Sequence, residues 1–154
     1  MNDEDPRAGH SVSVAAVVVD NGGGRILAIR RRDTGEWQPP GGVLESDEQV
    51  EAGLVREVRE ETGAVVSPLA LTGVYKNLDR GILALVFRCK IEGGDIGPTA
   101  EAEQVRWMTP AEADANMDEV FAVRVHDALD YDRRRLTGGL PVRNHDGRTL
   151  VGSR

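Results

Sequence analysis

The chain has 154 residues, a formal net charge of −7 and a single cysteine. A chain of this length forms one domain with a substantial core, and its acidity argues against general binding to nucleic acid or to anionic membranes. The lone Cys89 cannot form a disulfide within the chain, which is typical of a reducing cytoplasm. No apolar run reaches the length of a membrane span, and the acidic, polar N-terminus is unlike a secretory signal.

The predicted elements begin after a polar lead, residues 1–10, that we expect to be flexible. The β-branched run 12–20 predicts a buried strand, and the Gly-rich turn 21–24 predicts a hairpin with a second strand, 25–32. Three arginines, Arg30, Arg31 and Arg32, end this second strand, where one of them could contact a phosphate. We expect Trp37 to pack into the core rather than to stack on a base.

The helix predicted next has recognisable ends. Ser46 and Gln49 have the spacing of a capping box, which predicts a start near Asp47. Gly63 is typical of the left-handed residue that follows a helix. The apolar residues that recur every four positions and face the core are Val50, Leu54 and Val58.

Three carboxylates crowd one sector of this helix. Glu57, Glu60 and Glu61 are spaced three and four residues apart or adjacent, and like charges at that spacing cost roughly a few tenths of a kcal/mol per pair. A divalent cation would offset this repulsion, and ligands that are all oxygen suit Mg²⁺ or Mn²⁺. The alternative interpretation is a solvated helix face whose acidic residues pair with Arg56 and Arg59.

The second half of the chain predicts further strands and one long helix. The predicted strands are 69–75, 82–91 and 104–108, a helical turn begins at 109–110, and a helix follows at 118–131. Cys89 lies in an apolar strand, which indicates a core thiol. Residues 132–154 are polar and Gly-rich, with no clear element. Strands interleaved with two helices predict an α/β fold with a mixed sheet between helical layers.

The stretch 42–64 resembles the Nudix box of the Nudix hydrolase superfamily, whose members include MutT-like proteins. That box reads Gly, five residues, Glu, seven residues, Arg-Glu, an aliphatic, any residue, Glu-Glu, any residue, Gly and an aliphatic. The fixed positions of the box are all matched, by Gly42, Glu48, Arg56, Glu57, Glu60, Glu61 and Gly63. The flanking stretches 37–45 and 101–112 are also similar to the family, so the resemblance covers about residues 11–131.

The resemblance implies an α/β/α sandwich with a mixed β-sheet. It divides the chain into the flexible lead 1–10, a Nudix hydrolase domain at 11–131 and a polar C-terminal extension at 132–154. The implied activity is metal-dependent hydrolysis of a diphosphate linkage in a nucleoside triphosphate or another nucleoside diphosphate derivative. Mg²⁺ is the implied cofactor, with Mn²⁺ as an alternative. We expect the extension not to be catalytic, although it could pack on the domain or on a second subunit, so that truncation after Tyr131 would leave the rate within a few-fold.

The resemblance also implies which residues would bind the metal. Glu57 and Glu61 would be the main ligands, and Glu60 would be a further ligand or the general base. The backbone carbonyl of Gly42 often adds a ligand in this family.

Other residues would complete the catalytic group. Arg56 would orient the box carboxylates, and Glu48 either joins the site or only balances the positive end of the helix dipole. A glutamate from the loop before the last strand often completes such sites. Glu101 is the first candidate for that position and Glu103 the second, with a solvated loop as the alternative for both.

Two other function classes stay open from the sequence. A Nudix-like domain can be a non-catalytic nucleotide-ligand sensor, although such domains often lose box carboxylates and none is lost here. An enzyme of Nudix fold acting on isoprenoid diphosphates would need more cysteine than Cys89 supplies. The expected partner is a small nucleotide, without long nucleic acid or membrane, in the cytoplasm; a homodimer through apolar residues of the extension is compatible with the sequence. The residues after the box do not identify the substrate.

Overall fold

The computed structural model describes residues 9–152, so most of the predicted flexible lead, residues 1–8, lies outside the described part, as do residues 153–154. Within the described part there are nine strands and four helices. Their bounds in chain order are β1 (Ser11–Val19), β2 (Ile26–Arg31), β3 (Trp37–Gln38), β4 (Gly41–Val43), α1 (Val50–Thr62), β5 (Ala64–Asn77), β6 (Ile82–Gly94), β7 (Ala102–Met108), α2 (Pro110–Asn116), α3 (Glu119–Leu129), α4 (Tyr131–Thr137), β8 (Val142–His145) and β9 (Leu150–Val151).

These strands join in one mixed sheet. The order along the sheet is β3-β2-β1-β6-β5-β8-β9, and β4 also pairs with β1 while β7 pairs with β2. The pairs β1–β6 and β5–β8 are parallel, and the others are antiparallel. The predicted hairpin of β1 and β2 forms with Val19 opposite Ile26.

The sheet carries helices on both faces, as the predicted α/β/α sandwich requires. Alternation along β1 explains why its β-branched run is buried on both sides. One face packs Val14, Ala16, Val18 and Leu27 against Leu54 and Val58 of α1. The other face packs Ala15, Val17, Val19 and Tyr75 against residues of α2 and α3 that include Ala113, Val125 and Ala128.

The predicted start of the box helix is wrong by one turn. Helix α1 begins at Val50, and its N-cap Gln49 is extended without a side-chain capping bond. The preceding residues form a separate turn, in which the amide of Glu48 donates to the carbonyl of Glu45 at 3.1 Å. The Glu48 side chain instead forms a salt bridge with Arg56. This pair fixes the turn beside the helix. The predicted stop is correct, since Gly63 has φ 79°.

The expectation that residues 132–154 lack regular structure is also wrong. Helix α4, strand β8 and strand β9 lie in this segment, and β8 runs parallel to β5 with Val142 opposite Val74. These strands are too short for their sequence to show alternation, and their pairing depends on an edge that β5 supplies. Among residues 9–152, no helix has both the length and the apolar character that crossing a bilayer requires.

Candidate active site

The box loop lies against β1 through two adjacent glycines. A Cβ atom at Gly41 would overlap the carbonyl oxygen of Val14 and the Cα of Ala15. A Cβ atom at Gly42 would overlap the carboxylate of Glu57. The first approach requires glycine, because the atoms it meets are mainly backbone, whereas the second requires glycine for as long as Glu57 keeps its position. The loop thus lies between β1 and the Glu57 side chain of α1.

Glu61 is a buried carboxylate at the centre of this contact. Only 4% of the residue is exposed, and its Oε1 accepts a hydrogen bond from the amide of Gly41 at 2.6 Å. Burial, together with the negative charges of Glu57 and Glu101, raises the pKa of Glu61 to about 8, although the hydrogen bond from Gly41 opposes the shift. Burial also raises the pKa of Glu57. The protein therefore holds acidic groups together in a setting that disfavours their charge, which a bound cation would relieve.

Arg56 links three carboxylates of the box. Its Nε and Nη2 donate to the two oxygens of Glu48 at 2.6 and 2.8 Å. Its Nη1 donates to Glu57 at 3.0 Å and to Glu60 at 3.2 Å. These contacts raise the pKa of the guanidinium, chiefly through Glu48. Arg56 thus contacts the box carboxylates that it is expected to orient, and the orienting role itself stays a prediction.

The remaining acidic candidates separate clearly. Glu60 is the exposed member of the box cluster, with 52% of its side chain accessible. Glu101 precedes β7, and its charge is close enough to raise the pKa of both Glu57 and Glu61. Glu103 instead pairs with Arg30, Nε to Oε1 at 3.1 Å. The structure therefore brings Glu101 towards the box carboxylates and directs Glu103 elsewhere.

The donor set has the chemistry for a hard divalent cation. Within residues 9–152, no three or more His, Cys, Asp or Glu side chains are grouped as they would be around a metal ion, and Glu57 and Glu60 are directed at Arg56. The nearby carboxyl groups nevertheless offer oxygen alone as ligand atoms, and the buried Glu61 has no salt-bridge partner among the described residues. Mg²⁺ and Mn²⁺ prefer such oxygen ligands.

An open cleft of about 970 Å³ begins at the box glycines. Gly41, Gly42 and Arg31 line it near the box, and Tyr75, Phe121 and Arg124 line it from β5 and α3. The C-terminal residues 145–149 also line this cleft. Strand β8 therefore places part of the extension beside the cleft, and the expectation that the extension is not catalytic stays a prediction.

Comparison with known proteins agrees with this geometry. The profile of the family described as "NUDIX domain" matches residues 9–129, most of the chain. The chain belongs to the Nudix hydrolase family. The box residues thus have the family's spacing and also the contacts described above, with the glycine loop against the carboxylates of α1.

Several known proteins are similar to this Nudix hydrolase. A "MutT-like protein" of Streptomyces ambofaciens is 55% identical over 142 residues, covering 92% of this chain and 88% of that protein. An "ADP-ribose pyrophosphatase" of Methanocaldococcus jannaschii is 33% identical over 90 residues, covering 54% of this chain and 53% of that protein. A Nudix hydrolase crystal structure from Nitrosomonas europaea, 24% identical, shares the fold with a TM-score of 0.70 over 89% of this chain and 80% of that one.

Other polar and aromatic residues of this Nudix hydrolase lie outside the box. Trp37 packs on the core beneath Arg106, whose Cζ lies 5.0 Å from the ring centroid, in agreement with the packing interpretation. Cys89 is a buried thiol whose pKa burial raises to about 12. His126 pairs with Asp114 on the surface at 2.7 Å. Of the three strand-end arginines, only Arg31 lines the cleft.

Two residues of the cleft were missed by the sequence analysis: Arg124 and His145. The signal for Arg124 was its place on α3, four residues after the core residue Val120, where a charge on the inner face is unusual. His145 gave no local signal, because its position depends on the pairing of β8 with β5.

Proposed function

We propose that this Nudix hydrolase cleaves a diphosphate linkage in a nucleoside triphosphate or another nucleoside diphosphate derivative, using Mg²⁺, with Mn²⁺ as the alternative. The observation that carries the proposal is the buried carboxylate of Glu61, hydrogen-bonded to Gly41 at the start of a cleft of about 970 Å³. A pocket of this size suits a nucleotide. An acidic cluster beside it suits a metal that bridges phosphates.

The proposed metal ligands are Glu57 and Glu61, with Glu60, Glu101 and the carbonyl of Gly42 available to complete the set. A bound divalent cation polarises phosphoryl oxygens and lowers the pKa of a water nucleophile. Glu60 is exposed, so it can also accept a proton from water as the general base.

The residues around the ligands hold them in place. The amide of Gly41 fixes one oxygen of Glu61 and leaves the other for a ligand role. Arg56 fixes Glu57 and Glu60 through one nitrogen and is itself anchored by Glu48. Second partners of this kind are known to orient metal ligands and to tune metal affinity. Within the catalytic group, we therefore assign Glu48 and Arg56 a positioning role.

The substrate class follows from the same site and from the relatives. The similar protein of Methanocaldococcus jannaschii is named for ADP-ribose, a nucleoside diphosphate derivative. The net charge of −7 disfavours a long polyanion such as a nucleic acid. We infer a small nucleotide as partner and a cytoplasmic setting. A homodimer is compatible with the exposed apolar residues Leu136, Leu140 and Val142.

The test is a substrate panel assayed with Mg²⁺, with Mn²⁺ and with excess chelator. The panel contains nucleoside triphosphates, ADP-ribose, nucleotide sugars, dinucleoside polyphosphates and isoprenoid diphosphates. Turnover of the nucleotide compounds should require the metal, and Glu57→Gln should reduce kcat at least ~10²-fold. Glu51→Gln, on the exposed side of the same helix, is the matched control and should retain the rate.

Each failure has a distinct meaning. Full turnover in excess chelator would contradict the metal chemistry. Turnover of isoprenoid diphosphates alone would contradict the nucleotide assignment and leave the metal site standing. Tight nucleotide binding without turnover under any metal would support the sensor alternative instead.

A further inference from the structure

Arg124 is a buried cation in the wall of the cleft. Only 7% of the residue is exposed. Its Cζ lies 4.9 Å from the ring centroid of Tyr75 and 5.1 Å from that of Phe121. Its Nε is buried and, within the part of the chain that is described, has no hydrogen-bond partner. A guanidinium held by two aromatic rings and no carboxylate is an unusual state for a core residue.

The nearby carboxylates are already used by other groups. Asp127, three residues further along α3, accepts from Tyr75 at 2.6 Å and from both Nε and Nη2 of Arg143 at 2.8 and 2.7 Å. Asp118 accepts from Arg148 at 3.0 Å. Burial without a counter-ion lowers the pKa of Arg124 to about 10. The charge of Arg124 is therefore uncompensated by any described carboxylate.

A second unsatisfied donor lies beside this cation. His145 is 4% exposed, and its Nδ1 accepts a hydrogen bond from the amide of Gly147 at 3.0 Å. That bond assigns the proton of the neutral ring to Nε2. Nε2 is buried and has no partner among the described residues. Burial, and then the charge of Arg124, lowers the pKa of His145.

The two donors are separated from the box carboxylates by the sheet. Arg124 lies on α3, which packs on one face, whereas Glu57 and Glu61 lie on α1, which packs on the other. Both Arg124 and His145 nevertheless line the cleft that begins at Gly42. A group bound by these donors is therefore a different part of the substrate from the diphosphate at the box.

We propose that Arg124 and His145 form a subsite for an anionic group of the substrate, such as a second phosphate, that lies apart from the diphosphate to be cleaved. This inference rests on the proposed function for the substrate class. A neutral acceptor such as a base carbonyl would satisfy hydrogen bonds but would leave the buried charge uncompensated. An anion satisfies both requirements, and charged acceptors form the stronger bonds to guanidinium. The substrates of this enzyme are accordingly nucleotides that carry a phosphate or carboxylate in addition to the diphosphate that is cleaved.

The first experiment measures binding without catalysis. Inorganic phosphate is added to the full-length protein in excess chelator, which removes metal-mediated phosphate binding, with chloride at equal ionic strength as reference. The unfolding temperature of the wild type should rise with phosphate, and this rise should be lost in Arg124→Met. Arg133→Met, which removes an exposed arginine paired with Asp130, should keep the rise. An unchanged rise in Arg124→Met would overturn the proposal.

Further variants guard against a loss of folding in Arg124→Met. Arg124→Lys keeps the charge and should keep part of the phosphate effect, while His145→Phe keeps the ring shape and should weaken phosphate binding about 10-fold, as expected for one lost hydrogen bond to a charged group. An effect equal to that of the wild type in His145→Phe would remove His145 from the subsite.

The second experiment compares matched substrates with the metal-loaded enzyme. NADPH and NADH, or coenzyme A and its 3′-dephospho form, differ by one phosphate remote from the diphosphate. The wild type should favour at least one phosphorylated member by about 10-fold or more in kcat/KM, mainly through KM, and Arg124→Lys should reduce that preference. Equal rates within both pairs would overturn the proposal while leaving the hydrolase activity intact. If neither pair is cleaved, the phosphate-binding experiment decides.

Discussion

The guanidinium of Arg56 forms two parallel hydrogen bonds with the carboxylate of Glu48, eight residues earlier in the chain, at 2.6 and 2.8 Å. This pair fixes the turn before α1 to the helix and leaves Nη1 of Arg56 for Glu57 and Glu60. Glu48 therefore acts on the proposed metal ligands through Arg56. That relationship explains how a residue outside the helix can belong to the site.

Glu48→Gln should weaken metal binding without unfolding the protein. Glutamine retains the shape but loses the charge that holds Arg56, so Glu57 becomes less well oriented. The Mg²⁺ concentration for half-maximal activity should rise about 10–100-fold, the usual scale for a lost orienting partner. Glu45→Gln, an exposed residue of the same turn, should leave the Mg²⁺ titration unchanged. Equal titration curves for Glu48→Gln and the wild type would contradict this role.

Alanine substitutions at the two box glycines should have different effects, one on stability and the other on activity. At Gly41 the new Cβ meets backbone atoms of β1, which cannot move cheaply, so Gly41→Ala should lower the free energy of unfolding by about 1–3 kcal/mol. At Gly42 the Cβ meets only the end of the Glu57 side chain, which can rotate away. Gly42→Ala should therefore remain stable but lose at least about 10-fold in kcat. Urea unfolding and kinetics separate the two effects.

The control for both glycine variants is Gly97→Ala, where a Cβ would meet open space. It should change neither the unfolding free energy nor kcat measurably. Full activity in Gly42→Ala would show that Glu57 does not need its observed position.

Asp127 should be one of the most sensitive buried residues. It is 2% exposed, and it joins Tyr75 of β5, Arg143 of β8 and its own helix α3. Removing one partner of a buried charge pair costs about 3–5 kcal/mol, so Asp127→Ala should destabilise strongly. Tyr75→Phe removes one hydrogen bond and should cost only about 1–2 kcal/mol. Denaturant unfolding of both variants tests this order, and the reverse order would contradict it.

Truncation after Tyr131 should lower the stability of the enzyme and raise its KM, a larger effect than the sequence predicts. It removes Arg134 and Arg143, so the buried Asp127 loses both of its salt-bridge partners and keeps the hydrogen bond from Tyr75. It also deletes His145 from the cleft. We expect a less stable protein with a raised KM, measured by thermal unfolding and by kinetics on the folded fraction. Wild-type stability and KM in the truncated chain would contradict this prediction and would agree with the small effect expected from the sequence.

The free energy of unfolding should fall as the pH is lowered, because of His145. Burial lowers the pKa of His145 in the folded state, so the unfolded chain binds the proton more readily than the folded one. The contribution of neutral His145 to stability is fully present above the pKa of roughly 6.5 that the histidine has in the unfolded chain. This contribution is lost as the pH falls from there towards the lower pKa of the folded state. In His145→Gln the unfolding midpoint should decline less between about pH 7 and pH 5 than in the wild type.

Much of this protein is determined by local sequence. The β-branched run of β1, the αL stop at Gly63 and the core face of α1 depend on neighbouring residues only, so their patterns predicted them correctly. The box spacing likewise predicted a glycine loop against a row of glutamates. The start of α1 was predicted wrongly because the long-range pair of Arg56 with Glu48 outweighed the local capping signal of Ser46.

Tertiary structure alone decided the rest of the cleft. Nothing near His145 in sequence places it beside Arg124, because that contact follows from the parallel pairing of β8 with β5. Likewise, Glu101 and Glu103 have similar spacing from the box, and only the pairing of Glu103 with Arg30 separates them. Local patterns report the forces between neighbouring residues, whereas a cleft is formed by segments distant in sequence whose approach depends on the whole sheet.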